Sequence, residues 1–231
     1  MKKIKISSEL AYAAALFLVS LSSAMIIASD IGISVLGALQ YILCRKFTFF
    51  SYGQWEYVIE GVLFVIFCVI MGKVKLLYFG SFITGVIFGT LVDFWRMVVP
   101  ILNPNVTAVG SFSMPGRLAL FFGGELICAL AIAIFFHSYL CPQVYELFVK
   151  GISEKYKLDM AKFKLCFDFS FLLFGFAATL VLFGKIEGIG VGTVVIAAIN
   201  GPLIGLFNKA LDARLIFVPT FPRLKRYFEL N

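Results

Sequence analysis

Residues 55–94 read WEYVIEGVLFVIFCVIMGKVKLLYFGSFITGVIFGTLVDF, and residues 167–206 read FDFSFLLFGFAATLVLFGKIEGIGVGTVVIAAINGPLIGL. The stretches align without a gap at an offset of 112 positions. Phe64, Val69, Gly72, Lys73, Gly80, Ile87, Gly89 and Leu91 meet Phe176, Val181, Gly184, Lys185, Gly192, Ile199, Gly201 and Leu203, while Glu56 meets Asp168 and Ser81 meets Thr193. At an offset of 109, Leu21, Ala24, Ser29 and Val35 meet Leu130, Ala133, Ser138 and Val144. The duplication therefore extends upstream, giving repeat one over about 9–101 and repeat two over about 117–208. Each copy carries three apolar segments long enough to cross a bilayer. Because that number is odd, consecutive copies insert upside down relative to one another, as in many secondary transporters.

Composition agrees with lipid as the solvent. Apolar residues make up 61% of the 231 positions, charged residues 14%, and the mean hydropathy is +0.99. A soluble domain carries about 25% charge and about 45–50% apolar residues. The net charge of +7 sits on basic residues that flank apolar blocks. Membrane topology and anionic headgroups account for it better than nucleic acid does.

The pattern predicts an all-α membrane protein with six transmembrane helices, at about 9–29, 54–72, 76–99, 116–138, 165–184 and 188–207. The N-terminal helix follows Lys2, Lys3 and Lys5 in the manner of a signal peptide. Its match to the fourth helix argues that it is retained. With the N-terminus in the cytoplasm, fifteen basic residues fall inside, among them Lys73, Lys75, Lys150 and the tail at 209–231 with Arg223 and Arg226. Five fall outside: Arg45, Lys46, Arg96, Arg117 and Lys185. That bias predicts both termini in the cytoplasm. One integral membrane domain spanning residues 1–231 is expected, in a bacterial inner membrane.

Two connections are more than loops. Ile33–Cys44 is apolar but about 12 residues long, too short to span. At the equivalent place in repeat two, residues 144–156 mix Glu146, Lys150, Glu154 and Lys155 with Val144, Tyr145, Leu147, Phe148 and Ile152. Each is expected to be a short re-entrant or interfacial segment.

The glycines Gly72, Gly80, Gly184, Gly188, Gly190 and Gly192, with Thr193, read as structural turns. No strand precedes the Gly188-x-Gly190-x-Gly192 run and no Gly-Lys-Thr follows, which speaks against a phosphate loop. Gly85 and Gly89 form a small-xxx-small face for close helix packing. Pro202, beside Asn200 and Gly201, removes the donor to Ala198, so a local opening of the last helix is expected.

A charge within a span costs about 2.5–3.5 kcal/mol on insertion scales and needs a reason. Glu125 lies mid-span after Gly123 and Gly124, where the first copy has Leu16. It reads as a substrate or proton partner, or as a protonated acid bonded between helices. Glu56 and Asp168, paired by the duplication, fall at opposite membrane faces and make no catalytic dyad. Helix capping suits Glu56. An i,i+4 pair with Lys164 suits Asp168. Glu60, one turn deeper than Glu56, joins Asp93 and Arg96 as a candidate outer vestibule. His137 reads as an interfacial residue.

Enzyme signatures are absent from the sequence: no Gly-x-Ser-x-Gly, no His-Glu-x-x-His and one histidine. The five cysteines form no CxxC, so neither a metal site nor a cofactor is expected.

The second half resembles the YczE/YitT-like family of bacterial integral membrane proteins. The matching residues are Lys164-x3-Asp168, Gly184, Gly188-Ile-Gly190-x-Gly192-Thr193 and Gly201-Pro-Leu-Ile-x-x-Phe207. The family has Arg-x3-Glu where this chain has Lys164 and Asp168. The first half matches through Gly72, Gly80 and Gly89. The resemblance implies a six-span bacterial fold and names no substrate.

The expectation is a small-molecule secondary transporter or exporter. Its midplane site would lie between the repeats at Glu125 and Asn200-Gly201-Pro202, and one half would rock against the other. The alternatives are a substrate-binding membrane subunit with a separate energising partner, or a non-transporting scaffold. The lipid bilayer and a small molecule or ion are the expected partners, a homo-oligomer is compatible, and nucleic acid is not expected.

Overall fold

The computed structural model describes residues 3–108, 111–186, 188–222 and 225. Lys2, Arg223 and Arg226 of the charge count, and Glu187 of the glycine run, lie outside the described residues. In chain order the elements are β1 (Ile4–Ser7), α1 (Ser8–Ser29), α2 (Ala38–Lys46), α3 (Tyr52–Met71), α4 (Leu76–Val98), α5 (Met114–Phe136), α6 (Val144–Tyr156), α7 (Met160–Phe183), α8 (Val191–Arg214) and β2 (Leu215–Val218). Among the described residues, all helices but α2 and α6 include a stretch long and apolar enough to cross a membrane, six in all. The protein is an all-α, multi-pass membrane protein. Its residues cluster into two compact units that do not follow the repeat boundaries.

The first unit holds 1–31, 94–140 and 194–231. Its centre is the antiparallel pair of α1 and α5, the corresponding helices of the two repeats. At one end, Arg117 donates through Nε to the Ser29 carbonyl at 2.7 Å and through a terminal nitrogen to the Asp30 carbonyl. At the other, Glu9 accepts from the Tyr139 hydroxyl at 2.5 Å. Burial, with this bond to Glu9, pushes the Tyr139 phenol up to about 12, so it remains a donor. Close approach between the helices depends on Gly124, where a Cβ would meet Ile26 Cγ1 at 2.8 Å and the Ser22 carbonyl at 3.1 Å. Ile196 of α8 packs with Ile26 and Phe121.

Glu9 also ties down the C-terminal segment. It accepts from the Thr220 amide at 3.0 Å and the Phe221 amide at 2.9 Å. Immediately upstream, β2 pairs in parallel with β1, from Ile4 opposite Leu215 to Ser7 opposite Val218. The two termini thus meet on one face, as an even number of spans requires. His137 Nε2 lies 3.0 Å from Asp212 and its ring packs on Phe217, so it anchors the same segment.

The second unit holds 32–93 and 141–193. Here the repeats interlock. Lys46, at the end of α2, donates to the Leu182 carbonyl near the end of α7 at 2.6 Å. Lys155, near the end of α6, donates to the Ile70 carbonyl near the end of α3 at 2.5 Å. The offsets that align the sequences convert one contact into the other: Lys46 corresponds to Lys155, and Ile70 to Leu182. Such reciprocity is the signature of a two-fold relation, and α3 and α7, the second and fifth candidate spans, run antiparallel because successive spans alternate in direction. Each lysine also puts a positive charge at a helix C-terminus, where carbonyls lack intrahelical donors. Gly72 and Gly184, both at φ +70°, end α3 and α7 as left-handed caps.

Two of these sequence expectations change. Gly80, Gly192 and Thr193 lie inside α4 and α8 rather than in turns, because those helices begin before them, at Leu76 and Val191. Gly188, at φ +76°, is where the chain turns, against the ring of Tyr41. The opening expected at Asn200-Gly201-Pro202 is not present: α8 runs on to Arg214, since a proline removes one donor and its neighbours' bonds hold the helix.

The contrast between Gly124 and Gly201, which has nothing within 4 Å of a built Cβ, yields a test. Gly124→Val should cost about 1–3 kcal/mol through overpacking. Gly201→Ala should leave stability equal or raise it by up to about 1 kcal/mol, because it sits inside a continuous helix with open space around it. Denaturant titration in micelles, followed by tryptophan fluorescence, reads both.

Candidate functional site

The two short helices α2 and α6 meet each other. Their C-terminal ends point to opposite ends of the α3/α7 pair, as the reciprocal lysines show. Their N-terminal turns touch each other: Gln40 Nε2 donates to the Tyr145 hydroxyl oxygen at 2.5 Å. The two half-helix ends are buried where they meet, an arrangement that fits the re-entrant one of the two placements the sequence allowed.

Unwound chain leads into each half-helix, and its polar groups find partners on the other repeat. The Ile33 amide donates to Thr193 Oγ1 of α8 at 3.2 Å. Thr84 Oγ1 of α4 donates to the Cys141 carbonyl at 3.1 Å. Thr84 and Thr193 are themselves buried. Irregular backbone at membrane depth requires such internal partners.

Around the meeting point lies a buried polar cluster. Gln40 Nε2 donates to Glu56 Oε2 at 2.7 Å as well as to Tyr145. Glu60 follows one turn along α3, on the same face, and its carboxyl fills the space that a side chain at Gly85 of α4 would need. Gln40 and Glu60 are 0% exposed and Glu56 2%, so water does not reach them from outside. Tyr52 and Tyr145 are buried alongside. The N-terminal amide of α6, at Val144, faces the Glu60 carboxyl. Yet both Glu60 oxygens and Gln40 Oε1 complete no hydrogen bond among the described residues.

The sequence candidates separate accordingly. Glu56 is not a helix cap. Ser51 and Gln54 form the capping box of α3, and Asp93 completes it by accepting from the Gly53 amide at 3.1 Å and from the Ser51 hydroxyl. Asp93 is therefore held at the helix start, not in a vestibule with Glu60. Asp168 pairs with Lys164 at 3.3 Å and is partly exposed. Glu125 is buried in the first unit with neither carboxyl oxygen bonded, and Asn200 Oδ1 in the same unit likewise lacks a partner. No hydrogen bond links Glu125 to Asn200. Gly190 donates to Thr193 Oγ1 at 3.4 Å, at the start of α8.

Gln40 and Tyr145 were not singled out by sequence. A signal existed for Gln40, the one amide side chain in an apolar run too short to span. Tyr145 carried none, because a tyrosine near an interface is ordinary.

Bonded and unbonded members of the cluster should respond oppositely to substitution. Gln40→Leu strands Glu56 and Tyr145 and should cost about 1–3 kcal/mol. Glu60→Gln removes a buried charge without a partner and should leave stability equal or higher. Thermal unfolding in micelles measures both. An equal loss in the two variants would mean that Glu60 is held structurally.

No curated protein and no solved structure matches the chain. One family model does, over residues 6–209, a range that takes in every transmembrane helix but the end of α8 and both half-helices. The chain therefore belongs to the family of unknown function DUF6198.

Proposed function

We propose that the protein is a secondary transporter or exporter of a small molecule, working in a bacterial cytoplasmic membrane with both termini inside. The observation that carries this reading is the cluster of Gln40, Glu56, Glu60 and Tyr145, built from both repeats where two half-helices meet. Re-entrant or broken helices whose N-termini converge at the midplane are how inverted-repeat transporters bind their cargo. Buried acids within spans are functional by default. A merely structural cluster would leave few polar atoms unbonded, because each costs about 1–3 kcal/mol. The site thus moves from Glu125 and Asn200 to Glu60, and still lies between the repeats. The YczE/YitT-like resemblance, and the absence of an enzymatic role, belong to the same proposal.

Reconstitution tests it. Proteoliposomes containing the protein alone, screened with a labelled bacterial metabolite pool under an imposed ion gradient, should accumulate or release a solute without nucleotide. Glu60→Gln should reduce that flux at least tenfold, while Gly201→Ala should not change it. Flux that appears only after an ATPase co-purifies would instead identify a substrate-binding subunit.

A further inference from the structure

Hydrogen-bonding capacity around Glu60 is lopsided. Among the described residues, Glu60 Oε1, Glu60 Oε2 and Gln40 Oε1 complete no hydrogen bond, although the Val144 amide faces the Glu60 carboxyl. Both amide hydrogens of Gln40 are directed to Glu56 and Tyr145, which leaves the Tyr145 hydroxyl hydrogen as one uncommitted donor. The charges are lopsided too. The groups acting on Glu60 are Glu56 on its own helix and Glu146 on α6, both acidic. Tyr145 of α6 also faces the two carboxyls. α2 contributes the neutral Gln40, and α4 presents Gly85.

The N-terminus of α6 does not correct this imbalance. A helix end stabilises an adjacent carboxylate by about 0.3–1 kcal/mol, and up to about 2 in partly buried geometry. Removing an ion from water costs several kcal/mol. A positive charge that accepts oxygen ligands balances both deficits at once. It must also be compact, because every side chain around the position is packed. With one of the two carboxyls protonated, the pair and the amide oxygen carry a single negative charge, which suits a monovalent ion better than a divalent one, and calcium takes six or more oxygens. Among the described residues, no group of three or more acidic, histidine or cysteine side chains is placed to hold a metal ion.

We propose that Glu60, Glu56 and Gln40 Oε1 bind one compact monovalent cation, the coupling ion of the transport cycle. The assignment rests on the transporter reading only for the word coupling, since binding is measurable without transport. A proton, sodium and ammonium share the required chemistry, and the experiment distinguishes them.

Thermal unfolding of the full chain in micelles is followed at constant ionic strength, with choline as the bulky reference cation. Sodium and ammonium replace choline in separate titrations, and a third series varies proton concentration over about four pH units around neutrality, in choline alone. One series should give a saturable rise in melting temperature. Its midpoint should move at least tenfold, or one pH unit, in both Glu60→Gln and Gln40→Leu, and stay put in Glu125→Gln. The responding series names the ion. Identical melting in all three series, or a midpoint unchanged in Gln40→Leu, overturns the proposal. Gln40→Leu keeps both carboxyls, so it decides the matter even if Glu60→Gln does not fold. Cation binding without solute flux would sink the transporter reading and leave the ion site intact. Flux without cation binding would do the reverse.

Discussion

Backbone that leaves the helix inside hydrocarbon must find its hydrogen bonds within the protein. This chain leaves it before α2 and again before α6. In both places the partners come from the opposite repeat: Thr193 for the Ile33 amide, Thr84 for the Cys141 carbonyl. Much of the second unit follows from that requirement. The half-helices dock across the repeats, their terminal lysines close on the far helix ends, and Gln40 reaches Tyr145. Rocking one repeat against the other would break all of these contacts. The repeats are units of sequence, and the compact units of structure draw on both.

The same two-fold scaffold carries unequal chemistry. Glu56 is buried against Gln40, whereas its counterpart Asp168 is a partly exposed partner of Lys164. Glu60 corresponds to Leu172, and Gly85, which makes room for it, to Ala197. In repeat one the α3–α4 approach is close enough that a Cβ at Gly89 would meet Gly53 at 2.9 Å, while the counterpart Gly201 faces open space. The buried acids of this cluster sit on one copy, and the other supplies α6, whose Tyr145 accepts from Gln40.

The six spans, the inversion and the special positions near residues 40 and 150 were legible in the sequence, because burial in lipid imposes length and apolarity directly. The left-handed caps at Gly72 and Gly184 were legible too, since no side chain fits that backbone cheaply. What sequence did not show was partnership. Glu56 looked like a cap because it sits one turn into a helix, but Ser51 and Gln54 already meet that need. Glu125 drew attention because an acid in mid-span is conspicuous. Gln40 did not, although it organises the cluster, because an amide carries no charge. The pairing of β1 with β2 joins residues at the two ends of the chain, a distance no local pattern encodes.

The interlocking has a consequence for biosynthesis. Gln40 leaves the ribosome 105 residues before Tyr145. At about 5–20 residues per second, the wait is about 5–20 s. Throughout it, the first half-helix has neither the α6 partner nor the threonine and helix ends of repeat two. Packing of the first half-helix is therefore completed only after repeat two is made. The order in which this protein is assembled is not the order in which it is synthesised.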